Sequence, residues 1–295
     1  VLLKMLLVAY LYNLSERQTE EVANYHLPVK WFLGLAVNER APDHSTLTKF
    51  KQRLLERGKL EAAEDILRQM VMLAQEQGIR FGSLQVMDSV HTQADVNLEK
   101  EDQRARQGQP RPPRDGDARW GVKRSRRVRQ PDGKHSQVRD YFFGYKAHCS
   151  LNAESELITS VVVTPGNAPD GHQLPCLLER DLALQLPTTT IAADRGYDDG
   201  HNHFLLQSKG LHSAIRLNDY RTNKKDHNKE IWLELQATAE YKQGLRERHK
   251  IEHKFGEAKR WHGLAKCRYL GLLRYGLQAF LTAMALNLKR IVRLL

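Results

Sequence analysis

The chain has 295 residues, which is enough for one large domain or for two, with an ample buried core. Three cysteines without a CxxC spacing argue against a disulfide framework or a structural zinc site and indicate a reducing, cytosolic setting. The net charge of +11 favours a polyanionic partner. We expect neither a signal peptide at 1–14, where no cleavage site follows, nor a membrane span at 277–288, where polar residues interrupt a short apolar run.

The basic excess is concentrated in two segments. Residues 104–139 contain twelve Lys and Arg against three Asp, and residues 241–274 contain ten against three Glu. The remainder of the chain is net acidic, so these two segments carry the entire excess. One charge run is often only a solvated surface. Two runs that flank candidate carboxylates favour nucleic acid, because Lys and Arg neutralise phosphates whatever the base sequence.

Residues 1–80 are predicted to form an all-helical N-terminal domain. Apolar residues recur at three- and four-residue spacing over 2–11, and Ser15 begins a capping-box sequence. Further helices are expected from about Thr46 and through 62–76. No aligned charge stripe marks one of these helices as a DNA-groove reader, so DNA binding by this part depends on its context.

Residues 81–295 are predicted to form a mixed α/β domain, in which a first strand ends at Asp88. Residues 95–139 are polar, basic and rich in Pro, Gly and Arg, and we expect a disordered insertion there. The other expected elements are a hairpin over 141–151 and 157–164, a helix over 172–184, strands over 188–194 and 213–215, and helices over 230–262 and 272–293. Strands alternating with helices in this order describe a mixed sheet covered by helices.

Three acids are the candidate catalytic residues. Asp88 and Asp194 each end an apolar strand, and ligand sites of open α/β sheets favour such strand ends. Glu252 lies on a basic helix, where Arg248 and Lys259 fall on the same face. Taken singly, each acid has an ordinary alternative role as a turn former, a helix cap or a surface salt-bridge partner. Their occurrence together suggests a site.

The combined pattern resembles insertion-sequence transposases that have an RNase H-like fold and an Asp-Asp-Glu (DDE) triad. The spacing Arg248-x3-Glu252-x6-Lys259 is similar to the signature around the glutamate of one large group of them. The sequences at 193–197, Ala-Asp-Arg-Gly-Tyr, and at 86–89, Val-Met-Asp-Ser, are similar to those around the second and first aspartates.

The N-terminal part carries the same resemblance. The sequences Trp-Phe-Leu-Gly-Leu at 31–35 and Pro-Asp-His-Ser-Thr-Leu at 42–47 are similar to the helical domain that precedes many of these catalytic cores. The likeness therefore covers nearly the whole chain, with several motifs in the same order. It implies an RNase H-like mixed sheet with flanking helices, preceded by an all-helical N-terminal domain.

The resemblance also implies a function. The chain would be a transposase that binds transposon ends, cleaves DNA and transfers the strand, using two divalent ions, Mg²⁺ or Mn²⁺, held by Asp88, Asp194 and Glu252. The expected partners are terminal inverted repeats and target DNA, with a homodimer to synapse two ends, in the prokaryotic cytoplasm at the nucleoid. The expected DNA contacts are Arg248, Lys259, Arg195, Arg124, Arg126 and Arg127.

The chain departs from the family signature at one position. Leu245 occupies the place of the signature tyrosine, and Tyr241 lies one helical turn earlier as a candidate substitute. The family's tyrosine and arginine are linked to handling the non-transferred strand. A hairpin intermediate is therefore not implied for this chain.

Other functions are compatible with parts of the sequence. His249, Glu252 and His253 match an H-x-x-E-H zinc-protease motif, in which Glu252 would be the general base. That reading has no third ligand and leaves both strand-end aspartates unexplained. Further alternatives are an inactive or truncated transposase-derived DNA-binding protein, and an RNase H-like nuclease or resolvase that hydrolyses DNA without strand transfer.

Overall fold

A mixed sheet of six strands lies at the centre of the described part of the chain, which in this computed structural model comprises residues 1–56, 60–108, 112–129, 135–222 and 227–295. The strands are β1 (Leu84–Gln93), β2 (Arg119–Arg129), β3 (His135–Asn152), β4 (Ile158–Pro165), β5 (Thr190–Ala193) and β6 (His212–Ile215). β3 pairs antiparallel with β1, β2 and β4, whereas β5 runs parallel to β1 and β6. The mixed α/β class predicted from the sequence is confirmed.

The two faces of the sheet are covered by different helices, because successive side chains of a strand point to opposite sides. Met87 and Ile191 pack with leucines of α7 (Leu174–Ala183) and α8 (Gly200–Ser208). Val86 and Ala192 belong to a second cluster that includes residues of α11 (His249–Trp261) and α12 (Leu272–Leu294). Buried residues on both faces of the sheet therefore have helices to pack against.

Five helices precede the sheet. They are α1 (Leu2–Leu11), α2 (Glu16–Tyr25), α3 (Leu27–Leu33), α4 (His44–Glu56) and α5 (Glu61–Glu76). The capping box predicted at Ser15 is present, with reciprocal hydrogen bonds to Gln18. Met5, Leu67 and Phe280 lie in one hydrophobic core, so these helices pack onto the C-terminal part of the chain. The boundary at residue 80 stays a prediction about domains.

The predicted helix over 230–262 consists of three helices, α9 (Lys229–Ala237), α10 (Ala239–Glu247) and α11. Thr238 breaks the first junction with an extended backbone, and its hydroxyl caps α10 by accepting from the Tyr241 amide. Arg248 lies at the second junction but keeps helical dihedral angles, with φ −58° and ψ −29°. The spacing between Arg248 and Glu252 is therefore still that of a helix.

The C-terminal helix α12 is buried over most of its length, as the sequence predicted. Asn287 is one of its buried polar residues, and its side-chain amide exchanges two hydrogen bonds of 2.8 Å with the backbone of Ile158 in β4. A helix so completely enclosed needs such partners for its polar groups. Within the part of the chain that is described, no helix is both long and apolar enough to cross a membrane.

The region 95–139 differs from the expected disordered insertion. It contains α6 (Leu98–Gln107), which Asn97 caps, and β2, which is hydrogen-bonded to β3 from Arg119↔Gly144 to Arg129↔His135. The ladder satisfies the backbone groups of a polar segment, so strand formation here does not require apolar periodicity. The expectation is thus corrected for these two elements, whereas 109–111 and 130–134 lie outside the described residues.

Candidate active site at the ends of β1 and β5

Asp88 and Asp194 lie side by side on neighbouring strands. The parallel register pairs Met87 of β1 with Ala193 of β5, so each aspartate is the next residue on its strand. Neighbouring strands are about 5 Å apart. β5 ends at Ala193, directly before Asp194, but β1 continues past Asp88 to Gln93 because it stays paired with β3 as far as Gly144. The prediction that the first strand ends at Asp88 is therefore wrong, and the two carboxylates meet at the end of β5.

Local backbone contacts orient both carboxylates. Asp88 Oδ1 accepts a hydrogen bond of 2.7 Å from the Ser89 amide, and Asp194 Oδ1 accepts one of 2.8 Å from the Gly196 amide. The second bond caps a 3-10 turn over Arg195–Tyr197. A Cβ at Gly196 would lie only 3.0 Å from Asp194 Oδ1, so the turn can close this tightly on the carboxylate only with glycine there.

Arg248 connects Glu252 to this pair. Its guanidinium donates to Asp88 Oδ2 at 3.2 Å and to Glu252 Oε1 at 2.6 Å. The three predicted catalytic acids are therefore brought to one site, two through the sheet register and the third through Arg248. Arg248 itself, predicted to contact DNA, serves in this structure as a counter-ion of the acids.

The pKa values of Asp88 and Asp194 indicate that the site has too little positive charge to balance its acids. Burial, followed by the negative charge of Asp194, raises the pKa of Asp88 to about 7. Burial also raises the pKa of Asp194, against the hydrogen bond from Gly196. One arginine does not offset this concentration of acids, and a further cation would stabilise their charged forms.

The donor set suits a hard divalent cation, since carboxylate oxygens are the ligands that Mg²⁺ and Mn²⁺ prefer. The described residues contain no group of three His, Cys, Asp or Glu side chains already arranged to hold a metal ion. Asp88 and Asp194 provide the fixed part of such a site. The Glu252 side chain is 51% exposed and bound to Arg248, so it would complete the site by leaving that partner.

Lys259 lies farther along α11, next to β1. Its ammonium is 3.3 Å from His91 Nε2, and no described carboxylate lies within ion-pair distance of it. Burial, together with Lys259 and Lys123, lowers the pKa of His91 to about 4. A half-buried lysine beside a neutral histidine is a suitable contact for a phosphate.

The structure gives less information on the other predicted DNA contacts. Arg195 follows Asp194 and pairs with Asp219 at 2.8 Å on the surface. Arg124, Arg126 and Arg127 belong to β2 by their backbone pairing with β3, and their side chains lie outside the described part of the structure.

Asp170 was not among the candidate site residues of the sequence analysis. Asp170 lies beside Asp194, and Lys146 binds it at 2.8 Å. His148, on the same strand as Lys146, is completely buried next to it. The available signal was a third acid that follows a strand end, in the sequence Pro-Gly-Asn-Ala-Pro-Asp at 165–170.

Tyr241 does not replace the missing signature tyrosine at the site. Its ring is buried with Leu217 and Trp232, and its hydroxyl accepts a hydrogen bond from the Leu217 amide at 3.2 Å. Leu245 packs against the same cluster. Both positions therefore contribute to the attachment of α10, and neither presents a hydroxyl to the acids.

The H-x-x-E-H motif is also accounted for differently. The rings of His249 and His253 stack edge to face with centroids 5.2 Å apart, and His249 Nδ1 lies 2.7 Å from the Arg246 carbonyl. Glu252 is engaged by Arg248 and turned to the aspartates. The glutamate is thus part of the acid cluster.

Comparison with known families agrees with this geometry. The family model described as "Transposase DDE domain" matches residues 98–288, and a "Transposase domain (DUF772)" matches residues 1–53. The chain belongs to the DDE transposase family. The first match includes Asp194 and Glu252, whereas Asp88 lies ahead of it. DDE enzymes generally use divalent metal ions, and membership in this family does not favour the metalloprotease reading.

The individual proteins to which the chain is similar have low sequence identity to it. The transposase for insertion sequence element IS1106 from Neisseria meningitidis serogroup B is 31% identical over 182 residues, which are 61% of this chain and 54% of that protein. The chain thus matches about half the length of this DDE relative. The Mos1 transposase paired-end complex with left transposon end aligns with 87% of this chain and 80% of its own at 9% identity, but its TM-score of 0.24 is too low to carry an argument.

Proposed function

We propose that this chain is a DNA transposase whose metal-binding residues are Asp88, Asp194 and Glu252. The observation that carries the proposal is the meeting of two half-buried aspartates on neighbouring strands with a glutamate on α11 that shares Arg248 with one of them. Two divalent ions, Mg²⁺ or Mn²⁺, would supply a nucleophile of lowered pKa and stabilise the leaving oxygen. Family membership supports the reaction class.

The protein's part in the reaction is to hold the metal ligands and to orient the DNA phosphate. The Ser89 and Gly196 amides fix one oxygen of each aspartate, and Arg248 holds the second oxygen of Asp88 until a ligand replaces it. Arg248, once it leaves Asp88 and Glu252, carries a guanidinium fork that suits a phosphate beside the scissile bond. In the family, water attacks first and the freed 3′-hydroxyl attacks second, so one site serves both steps.

The proposed substrates are the terminal inverted repeats and the target DNA, on the nucleoid. Arg195 follows Asp194, Lys259 lies on the same helix as Glu252 and beside His91 of β1, and the predicted contacts Arg124, Arg126 and Arg127 belong to β2 by their backbone pairing. Phosphate neutralisation by these side chains would give affinity independent of sequence. A homodimer would bring two transposon ends together.

A cleavage assay tests the proposal. Purified protein is incubated with Mg²⁺ or Mn²⁺ and duplexes that carry the inverted repeats of its own element. We expect nicking at the repeat ends and joining to a second DNA, with both lost in Asp194→Asn because a metal ligand is removed.

The controls separate the alternatives. Asp219→Asn, which changes a surface acid on the next loop, should cleave normally. Cleavage by Asp194→Asn at the wild-type rate would show that the site assignment is wrong. Binding to the ends without cleavage would favour an inactive transposase-derived DNA-binding protein, and cleavage without joining would favour a nuclease.

A further inference from the structure

A second ion pair lies beside Asp194. Lys146 of β3 donates to Asp170 Oδ1 at 2.8 Å and to the Ala168 carbonyl at 3.0 Å. A Cβ at Gly196 would lie 3.4 Å from Asp170 Oδ2 and 3.0 Å from Asp194 Oδ1. The carboxylates of Asp170 and Asp194 therefore flank the same glycine.

A buried histidine faces the same carboxylate. The His148 side chain is fully buried, and its Nε2 lies 2.9 Å from Thr164 Oγ1. Its Nδ1 has no hydrogen-bond partner among the described residues and points to Asp170 Oδ1 at 3.8 Å. Such an orphaned buried polar atom is costly. Burial lowers the pKa of His148 to about 4, so at neutral pH this imidazole is not the counter-ion of Asp170.

Two basic side chains offset part of the negative charge at the site. Arg248 binds Asp88 and Glu252, and Lys146 binds Asp170. Asp194 has no ion-pair partner among the described residues, although it lies beside Asp170. Lys146 and Asp170 are only 14% and 20% exposed, so water screens their charges weakly. An incoming cation therefore encounters the adjacent carboxylates of Asp170 and Asp194. The positive charge of Lys146 already offsets part of their negative potential.

We propose that Asp170 is a fourth carboxylate of the metal site and that Lys146 is a positioning residue that holds Asp170 until a divalent ion competes for it. This inference rests on the proposed function. Lys146 also ties the 168–170 loop to β3 through its bond to the Ala168 carbonyl. Loss of the lysine would favour cation binding, and loss of Asp170 would oppose it.

Metal-dependent thermal stabilisation tests the inference without DNA. Chelator-treated full-length protein is titrated with Mn²⁺, and the concentration that gives half of the maximal shift in Tm is measured. We expect Lys146→Met to lower this midpoint about tenfold, because a positive charge close to the ion is removed. Asp170→Asn should raise it about tenfold, and the double variant should lie between the single ones.

Matched variants control for charge and folding. Lys146→Arg keeps the charge and should stay within about twofold of wild type. Arg68→Met removes a cation from the exposed Arg68–Asp65 pair on α5 and should leave the midpoint unchanged. Circular dichroism checks that each variant is folded, and the charge-balanced double variant is decisive where a single variant is not.

The outcomes distinguish this inference from the proposed function. If Lys146→Met and Asp170→Asn both have the wild-type midpoint while Asp88→Asn loses the shift, Asp170 is not part of the metal site and only this inference fails. If Lys146→Met alone changes the midpoint, Asp170 is no ligand and the inference also fails. If wild-type protein shows no Mn²⁺-dependent shift, the proposed metal site and this inference fall together.

Discussion

Arg248 is the residue on which the metal-free site depends. It binds Asp88 and Glu252 through separate nitrogens of one guanidinium, and only 19% of its side chain is exposed. Removal of one partner from a largely buried ion pair leaves the other charge uncompensated, which is more costly than loss of the attraction itself. In the absence of metal, Arg248 is therefore expected to be a stabilising residue as well as a candidate phosphate ligand.

Arg248→Gln tests this stabilising role. In metal-free buffer at pH 8 we expect the free energy of unfolding in urea to fall by about 3 kcal/mol, because Asp88 keeps a buried negative charge beside Asp194. Mn²⁺ should restore part of the loss. Arg246→Gln, on the exposed side of α10, is the matched control and should change stability by less than about 0.5 kcal/mol. Equal stability of the two variants would contradict the role.

Asp181 makes the stability of the folded protein depend on pH in a way that does not involve the active site. It is buried in α7 and accepts a hydrogen bond of 2.7 Å from Thr159, and burial raises its pKa to about 6. The folded state therefore holds a proton that the unfolded state has lost. The stability this contributes is complete below the ordinary pKa of 3.8 and is lost as the pH rises through about 6.

Asp181→Asn should remove that dependence. Relative to wild type, the variant should gain stability between pH 4 and pH 7 by an amount on the order of 3 kcal/mol. Urea unfolding at four pH values measures the difference, and Asp65→Asn on the exposed face of α5 serves as the control. A wild-type and variant difference that stays constant with pH would refute the assigned cause.

At the scale of elements, the packing of α10 on the sheet determines the positions of Arg248 and Glu252. Gly244 allows this close approach, since a Cβ there would lie 2.4 Å from the Ala214 Cβ of β6 and 3.1 Å from the Ala192 Cβ of β5. Tyr241 and Leu245, on the same face of the helix as Gly244, anchor it against Leu217 and Trp232. The position of Glu252 thus depends on Gly244, eight residues upstream, and on two strands.

Gly244→Ala should displace α10. We expect a loss of about 1–3 kcal/mol in the free energy of unfolding and a larger relative loss of cleavage activity, because overpacking moves the helix that leads to Arg248. The added variant Ala214→Gly should recover part of both. Gly256→Ala is the control, since nothing lies within 4 Å of a Cβ there, and it should stabilise the protein by about 0.5–1 kcal/mol. Destabilisation of equal size at both glycines would contradict the packing argument.

The strands show which parts of the fold could be predicted from the sequence. The apolar runs that lead to Asp88 and Asp194 were predictable as strands, although β1 continues past Asp88 to Gln93. The β2 strand was not, since its stability comes from backbone pairing with β3 and leaves no apolar pattern. Asp170 was underestimated because its partner Lys146 is 24 residues away on another strand. Contacts between elements of this kind leave no local signal.

At the scale of the whole molecule, positive charge extends away from the acids on a two-stranded ribbon. Among the described residues, the part of β3 over 135–143 pairs with β2 alone. Its exposed basic side chains include Lys123, Arg129 and Arg139. A two-stranded ribbon has the width that a DNA major groove admits.

Replacing Arg124, Arg126 and Arg127 by Ala tests the ribbon. Each phosphate contact contributes about 0.9 to the slope of log K against log salt, so three lost contacts should reduce the slope by about 3. Fluorescence anisotropy with duplex DNA at several salt concentrations measures it. The control replaces Arg80, Lys209 and Arg293, which are exposed on other surfaces. An equal change in both triple variants would show only an effect of net charge.

The packing of α1 against α12 joins the two ends of the described chain in one core. During synthesis, α2, α3 and α4 are available to pack against α1 first. The part of the α1 face that packs on α12 stays exposed until residues 272–294 have left the ribosome. The core shared by α1 and α12 is therefore completed late, and the dependence of this protein on chaperones should follow the time taken to translate the residues in between.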